Sequence, residues 1–397
     1  MSLLDLELRP GQGLGVFELG ASLWNVIDLL REDKTRYPHI DVKYDNHNPS
    51  TSPIILHLRP HIDLLFSPLA QRLHTISVRR LRHLPNSTAP TTLTLRYSQH
   101  GDTLNGVGQT AGPGVVKETV VLSSPNTVLR RASVNKIFGP TYPGDTLSFP
   151  GIWFGFDEDG STPGGIASRS ISGSPPTIAT VTGVHADRNA EVKRVVICQR
   201  SKEAGDTMGE IAECPAMDGE LRTAIVEPRK GVKLFFYSTA HDQPLPPVYI
   251  RIGHTTSEDL LCDLGPPLRV FYKEDDRMTI HAARGPQEPD EGYFYNYFQH
   301  GIDVLLSGTT HKVRKIILHS NVPGSYQFQR YKRCPWEIHA AALPPNQAPR
   351  IASLGDRIDK IKLLFTSSKE NRAPPSMVLD RSADAQNAPT LPGGVTS

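Results

Sequence analysis

The sequence predicts an α+β fold of three repeated units, each a helix followed by an antiparallel meander. Three observations carry that expectation. The stretch "IDLLFSPLAQRLHTISV" (Ile62 to Val78) recurs as "IDVLLSGTTHKVRKIIL" (Ile302 to Leu318), at a constant offset of 240 residues. An amphipathic helical pattern precedes each copy. Among 397 residues there are 34 prolines and 32 glycines, which favours short elements and many turns over a helical bundle.

The first unit opens with "GASLWNVIDLLRE". Leu23, Val26, Ile27 and Leu30 share one helical face, and Ser22 is placed to cap the N-terminus. "IDVKYD", "IILHL", "HIDLLF" and "RLHTISV" then read as four strands, with Ser-Pro as a breaker between the last two. The nearly continuous apolar run "IDLLF" suits a strand buried on more than one side.

A second copy starts at "SVNKIFGPTYPGD", a short helix with Val134, Ile137 and Phe138 inward and a Gly-Pro stop. "FPGIWFGFD" stands for the duplicated first strand and "EVKRVVI" (Glu191 to Ile197) for the second. The third copy starts at "GHTTSEDLLCDLGPP". A Thr or Ser cap precedes Leu260, Leu261 and Leu264, and Gly265 with two prolines ends the helix. "LRVFYKED", "YFYNYF", "GIDVLL" and "KVRKIIL" complete its meander.

The expected organisation is unit one over 1–97, unit two over 115–240, and unit three with a closing segment over 247–366. Gly/Ser/Pro-rich stretches at about 158–180 and 200–220 read as disordered insertions, and 367–397 as a disordered Pro-rich tail. The closing "DRIDKIKLLF" reads as one more strand.

The bulk chemistry excludes several classes. A net charge of +2, from 43 basic against 41 acidic residues, gives no global drive toward nucleic acid. No run approaches the roughly 18–20 apolar residues of a membrane span. The N-terminus does not read as a signal peptide. Cys198, Cys214, Cys262 and Cys334 are far apart, and the simplest reading is a cytosolic protein with reduced thiols.

Apparent motifs fail on spacing. "GQGLGVFELG" has Val16 where a nucleotide loop needs its third glycine. His57 and His61 flank Pro60, which forbids the helix that would aim both at one metal. "DEDG" lacks the later ligands of a calcium loop, and "KEDDR" reads as a charged turn. The sequence therefore predicts no catalytic residue, no cofactor, no metal and no small-molecule substrate.

Four stretches carry a family resemblance: "LDLELRPGQGLGVFELG", "GPTYPG", "GPPLRVFYKEDDRMTIH" and "YFYNYFQHGIDVLLSGTTHKVRKIILHSNVPGSYQFQRYKRCPWEI". Over residues 3 to about 365 the chain resembles the phagophore assembly factor family of eukaryotes, once linked to Golgi trafficking. Each helix-plus-meander unit also resembles the β-lactamase-inhibitor-protein-like module, a likeness of fold alone. The family resemblance implies a non-enzymatic regulatory scaffold of autophagy. It implies a cytoplasmic protein recruited to the phagophore assembly site, with a β-propeller (WD40-type) partner. The alternative is a lipid- or phosphoinositide-binding protein of Golgi or endosomal membrane trafficking, motivated by basic stretches at Arg72 to Arg82 and Lys312 to Arg333. A third reading, an enzyme with an unrecognised site, requires a deep pocket with convergent titratable groups.

The candidate partner or headgroup surface lies in the third unit. Tyr293, Tyr295 and Tyr297 share one strand face, with Lys312, Arg314, Lys332 and Arg333 as a charged rim. Phe294 and Phe298 are expected on the opposite face, packed in the core by Leu260, Leu264 and Ile316.

Overall fold

The computed structural model describes residues 2–81, 91–99, 118–141, 146–156, 188–199, 211–238, 245–272, 292–340 and 350–365. The expected insertion at 158–180, the tail 367–397, most of the 98–114 loop, "DEDG" and "KEDDR" lie outside these residues.

The chain begins with β1 (Ser2–Arg9), β2 (Gly13–Leu14) and β3 (Phe17–Glu18), then α1 (Leu23–Glu32). A meander follows: β4 (Ile40–Lys43), β5 (Ile54–Leu58), β6 (Ile62–Phe66) and β7 (Leu73–Arg79). Next come β8 (Thr91–Gln99), β9 (Glu118–Ser123) and α2 (Arg131–Phe138). Three strands close this half: β10 (Thr146–Phe149), β11 (Ile152–Gly155) and β12 (Arg194–Cys198).

The second half starts over with β13 (Leu221–Glu227), β14 (Gly231–Phe236), β15 (Val248–Arg251) and α3 (Ser257–Leu264). Its meander is β16 (Arg269–Tyr272), β17 (Tyr293–Tyr297), β18 (Ile302–Leu306) and β19 (Val313–Leu318). It ends with β20 (Trp336–Ala340), β21 (Arg350–Ser353) and α4 (Ile358–Phe365).

The strands form four mostly antiparallel sheets, ordered β3-β2-β1-β8-β9, β10-β11-β12-β7-β6-β5-β4, β15-β14-β13-β20-β21 and β16-β17-β18-β19. Two pairs are parallel, β1 with β8 and β13 with β20, and they hold equivalent places. The series from β1 to α2 therefore recurs, element for element, from β13 to α4. The duplication extends beyond the helix and meander noticed in the sequence. Arg9, Pro10 and Gly13 in the β1–β2 turn answer Glu227, Pro228 and Gly231 in the β13–β14 turn. Both glycines meet the same obstacle. A Cβ on Gly13 would lie 2.2 Å from Phe17 O, and one on Gly231 1.9 Å from Ile250 O. "GQGLG" is thus a tight hairpin whose glycine allows backbone contact.

Several expectations are corrected here. The middle meander has three described strands and no sheet of its own, because β12 pairs with β7 and continues the first sheet. β13 and β14, placed in the second unit by sequence, hydrogen-bond into the sheet of β15, β20 and β21. The closing segment is a helix: Ile358, Ile361 and Leu364 recur every three residues, and Asp356 pairs with Lys360 at 2.7 Å. Part of the expected insertion at 200–220 is packed. Met217 is buried and the Cys214 thiol donates to Leu19 O at 3.2 Å, because this stretch runs against the β3–α1 turn.

Helix faces follow the spacing in α1, where Leu23, Val26, Ile27 and Leu30 are all buried and Ser22 Oγ accepts from Asn25 N–H. In α2, Val134 is buried, and Phe138 stacks among Tyr97, Phe149 and Phe154 at 4.8–5.4 Å. In α3 only part of the expectation holds. Leu260 is buried and Leu264 packs on the core, but Leu261 points outward at 42 % exposure. The helix is eight residues long, so its buried stripe is narrow.

α3 has a reciprocal cap. Asp259 N–H donates to Thr256 Oγ1 at 3.2 Å, and Thr256 N–H donates to Asp259 Oδ2 at 2.9 Å. Thr256→Ala is expected to cost about 1 kcal/mol, lowering the melting temperature by about 2 °C. Thr256→Ser should restore it; equal melting of wild type and the alanine variant would refute the cap's contribution.

Two cores result. The first joins α1, α2 and the inner faces of β1 to β12. The second, smaller, joins α3 with β13, β14, β15, β17, β18 and β19. Among the described residues no helix is long and apolar enough to cross a membrane. The four cysteines are unpaired.

Candidate functional site

The segment 319–335, between β19 and β20, leaves its own half and lies against the first. Its residues build a buried polar seam. Glu220, just before β13, is the centre. Its carboxylate accepts from Lys332 Nζ at 2.6 Å, from Asn25 Nδ2 at 2.7 Å, and from Arg72 Nη1. Arg72 also donates to Gly20 O at 3.1 Å, and its guanidinium lies over the Tyr237 ring. The Arg72, Glu220 and Lys332 side chains are 6 %, 11 % and 9 % exposed. Burial pushes the Lys332 ammonium down to about 8, an effect that Glu220 only partly opposes.

Among the described residues Arg333 meets no carboxylate. Its guanidinium donates to Ser320 O at 2.8 Å, Pro68 O at 2.7 Å, Leu69 O at 3.1 Å and Ser50 O at 3.2 Å. Three of those carbonyls belong to the first half. Burial pushes its pKa down to about 10. Beside it Gln71 and Asn321 exchange bonds, Gln71 Nε2 to Asn321 O at 2.9 Å and Asn321 Nδ2 to Gln71 Oε1 at 2.8 Å. A cleft of about 40 Å³ opens above, walled by Trp24, Leu69, Arg222 and Tyr237. Its volume has room for only a few waters, far below the roughly 300 Å³ of a small-molecule site.

The duplicated aspartates occupy matching positions on the outer faces of the two meanders. Asp63 Oδ1 meets His57 Nδ1 at 2.6 Å, and its other oxygen pairs with Arg79. Asp303 accepts from Asn296 Nδ2 at 2.7 Å, His319 Nε2 at 2.8 Å and Tyr331 Oη at 2.8 Å. Burial raises the Asp303 pKa, but these donors outweigh it and the carboxyl stays below its ordinary value. The His319 ring stacks on Tyr331 at 3.6 Å. A hollow of about 120 Å³ adjoins them, and its Ser325 hydroxyl donates to Val322 O at 2.7 Å. That serine serves a turn. His57, for which the sequence favours a core or edge role over a metal site, holds a carboxylate, and His61 Nδ1 lies 2.7 Å from Arg80 O.

The predicted aromatic surface faces the other way. Tyr293 and Tyr297 are buried, and Tyr295 packs on the second core with Leu260, Leu264 and Ile316. Phe294 and Phe298 lie on the outer face, half-buried, with Phe294 against the exposed Phe271 and Phe298 against Tyr331. The cause is pairing. Tyr297 lies opposite Ile302 and Tyr295 opposite Val304, both inward, whereas Asn296 lies opposite Asp303. Of the expected rim, Lys312 and Arg314 are exposed, but Lys332 and Arg333 are buried in the seam. The structure thus separates the seven candidates into a core set, a seam set and an exposed pair. Sequence reasoning missed Glu220, Gln71 and Asn321. Gln71 lies in the duplicated hairpin and Asn321 in the longest family stretch, whereas Glu220 ends an expected insertion.

The sequence model of the phagosome assembly factor 1 family matches residues 13–89 and 117–394. The chain belongs to this family. It is similar to a PHAF1 protein of Arabidopsis thaliana, 27% identical over 358 residues, covering 86% of this chain and 77% of that protein. A PHAF1 protein of Drosophila melanogaster is 27% identical over 372 residues, covering 87% and 76%. One of Caenorhabditis elegans is 26% identical over 368 residues, covering 85% and 78%. No solved structure matches the chain. The family match takes in both sides of the seam, with Gln71 and Arg72 in its first segment and Glu220, Asn321, Lys332 and Arg333 in its second.

Proposed function

We propose that this member of the phagosome assembly factor 1 family is a non-enzymatic scaffold of autophagy. It acts at the site of autophagosome formation, to which it is recruited from the cytoplasm, with a β-propeller (WD40-type) protein as partner. The observation that supports this reading is the family match across both halves. The geometry is consistent with it. Among the described residues the clusters around Glu220 and Asp303 bond internally, and the hollows beside them are small. The helix-plus-meander units, read as modules of the β-lactamase-inhibitor-protein type, fit a role in protein recognition.

Affinity capture from starved cells tests this. A β-propeller protein should copurify, and the tagged chain should gather into puncta on starvation. A diffuse chain that captures no propeller protein would overturn the proposal.

A further inference from the structure

The two halves differ at one sheet edge. In the first, β7 is an interior strand, because β12 pairs with it antiparallel from Thr75↔Cys198 to Arg79↔Arg194. Its counterpart β19 ends its sheet, with no strand beyond it among the described residues. Burial records the difference. Ile76 and Val78 are 0 % exposed, whereas their counterparts Ile316 and Leu318 are only partly buried against the second core.

One bond sets the direction of the backbone. His319 N–H donates to Gly301 O at 2.9 Å, so residue 319 faces β18. In an antiparallel ladder the N–H and C=O of a residue point the same way, and alternate along the strand. Ile317 therefore also faces β18, and Ile316 and Leu318 turn their backbone groups outward. The first half follows the same rule. Arg79 N–H bonds His61 O at 2.7 Å, and Ile76 and Val78 pair with Ile197 and Val195 of β12. β19 thus presents an acceptor edge of the kind that takes up an added strand.

Charge specifies what fits. Lys312, Arg314 and Lys315 are exposed at the start of β19. The matching positions on and before β7 hold the buried Arg72, then His74 and Thr75. An antiparallel strand brings its C-terminal end to that cluster. We infer that β19 is a docking edge for an extended segment of a partner protein, with branched apolar residues opposite Ile316 to Leu318 and carboxylates at its C-terminal end. This deepens the scaffold reading and rests on it, since the segment would belong to the propeller-protein partner.

Amide hydrogen exchange on the full chain, with two synthetic peptides, tests the inference. One peptide carries a Val-Val-Ile run followed by three glutamates; the other has the glutamates before the run. In the free chain the Ile316 and Leu318 amides should exchange at least about 100-fold faster than those of Ile76 and Val78. The first peptide should slow them and bind about tenfold tighter than the second. Lys312→Glu with Lys315→Glu should abolish that preference without lowering the melting temperature, and Ile316→Pro should abolish binding of both. Equal protection of both strands in the free chain would overturn the inference, because its own residues would then cover the edge. So would protection that rises with protein concentration, which means a second copy, or equal binding of the two peptides. If the charge-reversed variant captures the propeller protein as well as wild type does, the β19 assignment falls and the scaffold reading stands. If neither captures one, the scaffold reading falls, and exchange and peptide binding still decide β19.

Discussion

Glu220→Ala should destabilise the protein by about 3–5 kcal/mol, the cost of leaving buried cations without their anion. Against a net stability of about 5–15 kcal/mol that is a large fraction. The reason lies in the surroundings. Arg72 and Lys332 are drawn from opposite halves and both depend on this one carboxylate. Glu220→Gln should cost less, since the amide oxygen still accepts from Lys332 and Asn25. A chemical-denaturation series would read both. An alanine variant within about 1 kcal/mol of wild type would mean that water enters the seam and solvates the charges.

Lys332 adds a pH signature to the same experiment. Its folded pKa is about 8, below its ordinary 10.5, because burial disfavours the ammonium. Below pH 8 both states hold the proton and the cost of burial is fully in force. Between pH 8 and 10.5 the unfolded chain binds a proton that the folded chain has shed, so stability from this group rises with pH. Tyrosines buried in the neutral form oppose the trend, since folding raises their pKa values. The measurable quantity is therefore wild type minus Lys332→Met, which should increase across that window. A flat difference would mean that Glu220 fully compensates burial.

The repeated hairpin, the helices before it and their capping residues were legible because they rest on local periodicity. The deeper duplication was less so. "RPGQG" and "EPRKG" share little beyond Pro10 and Gly13 against Pro228 and Gly231, and the glycines are fixed by backbone contact rather than by side-chain pattern. The parallel pairs β1–β8 and β13–β20 join residues far apart in sequence, which periodicity does not report. The seam was hidden for another reason. "QRYKRC" looks like solvated charge, and only the fold brings Glu220 and the carbonyls of residues 50, 68 and 69 to it. The facing of β17 was legible and was misread. Alternation separates two faces without saying which is inner, and Phe outranks Tyr in hydrophobicity. The copy in the first half resolves it. "IILHL" puts Ile54, Leu56 and Leu58 inward and His57 on Asp63; the β17–β18 turn is one residue longer than the β5–β6 turn, so Tyr293, Tyr295 and Tyr297, rather than the residues 240 positions on, take those inward places and Asn296 meets Asp303.

Tyr297→Ala is therefore expected to cost about 3–5 kcal/mol, the range for a buried aromatic truncation, whereas Phe294→Ala should cost well under half as much. Tyr297 is 0 % exposed, and its ring lies 6.4 Å from Tyr295 and 6.2 Å from His300. Its polar tip is placed by the fold. α3 ends at Leu264, and its last carbonyls lack helical partners. The Tyr297 hydroxyl donates to Gly265 O at 3.2 Å and lies 3.5 Å from Leu260 O. Burial drives the phenol pKa upward, which keeps it a donor at physiological pH. Tyr297→Phe should keep the packing and lose only the bond, about 1 kcal/mol. Phe294 has less to lose, because the Phe271 beside it is 47 % exposed. Thermal and denaturant melts of the three variants decide the matter. If Phe294→Ala proves the more damaging, the inward face of β17 is the phenylalanine face, and the register of β17 on β18 would have to shift by one residue.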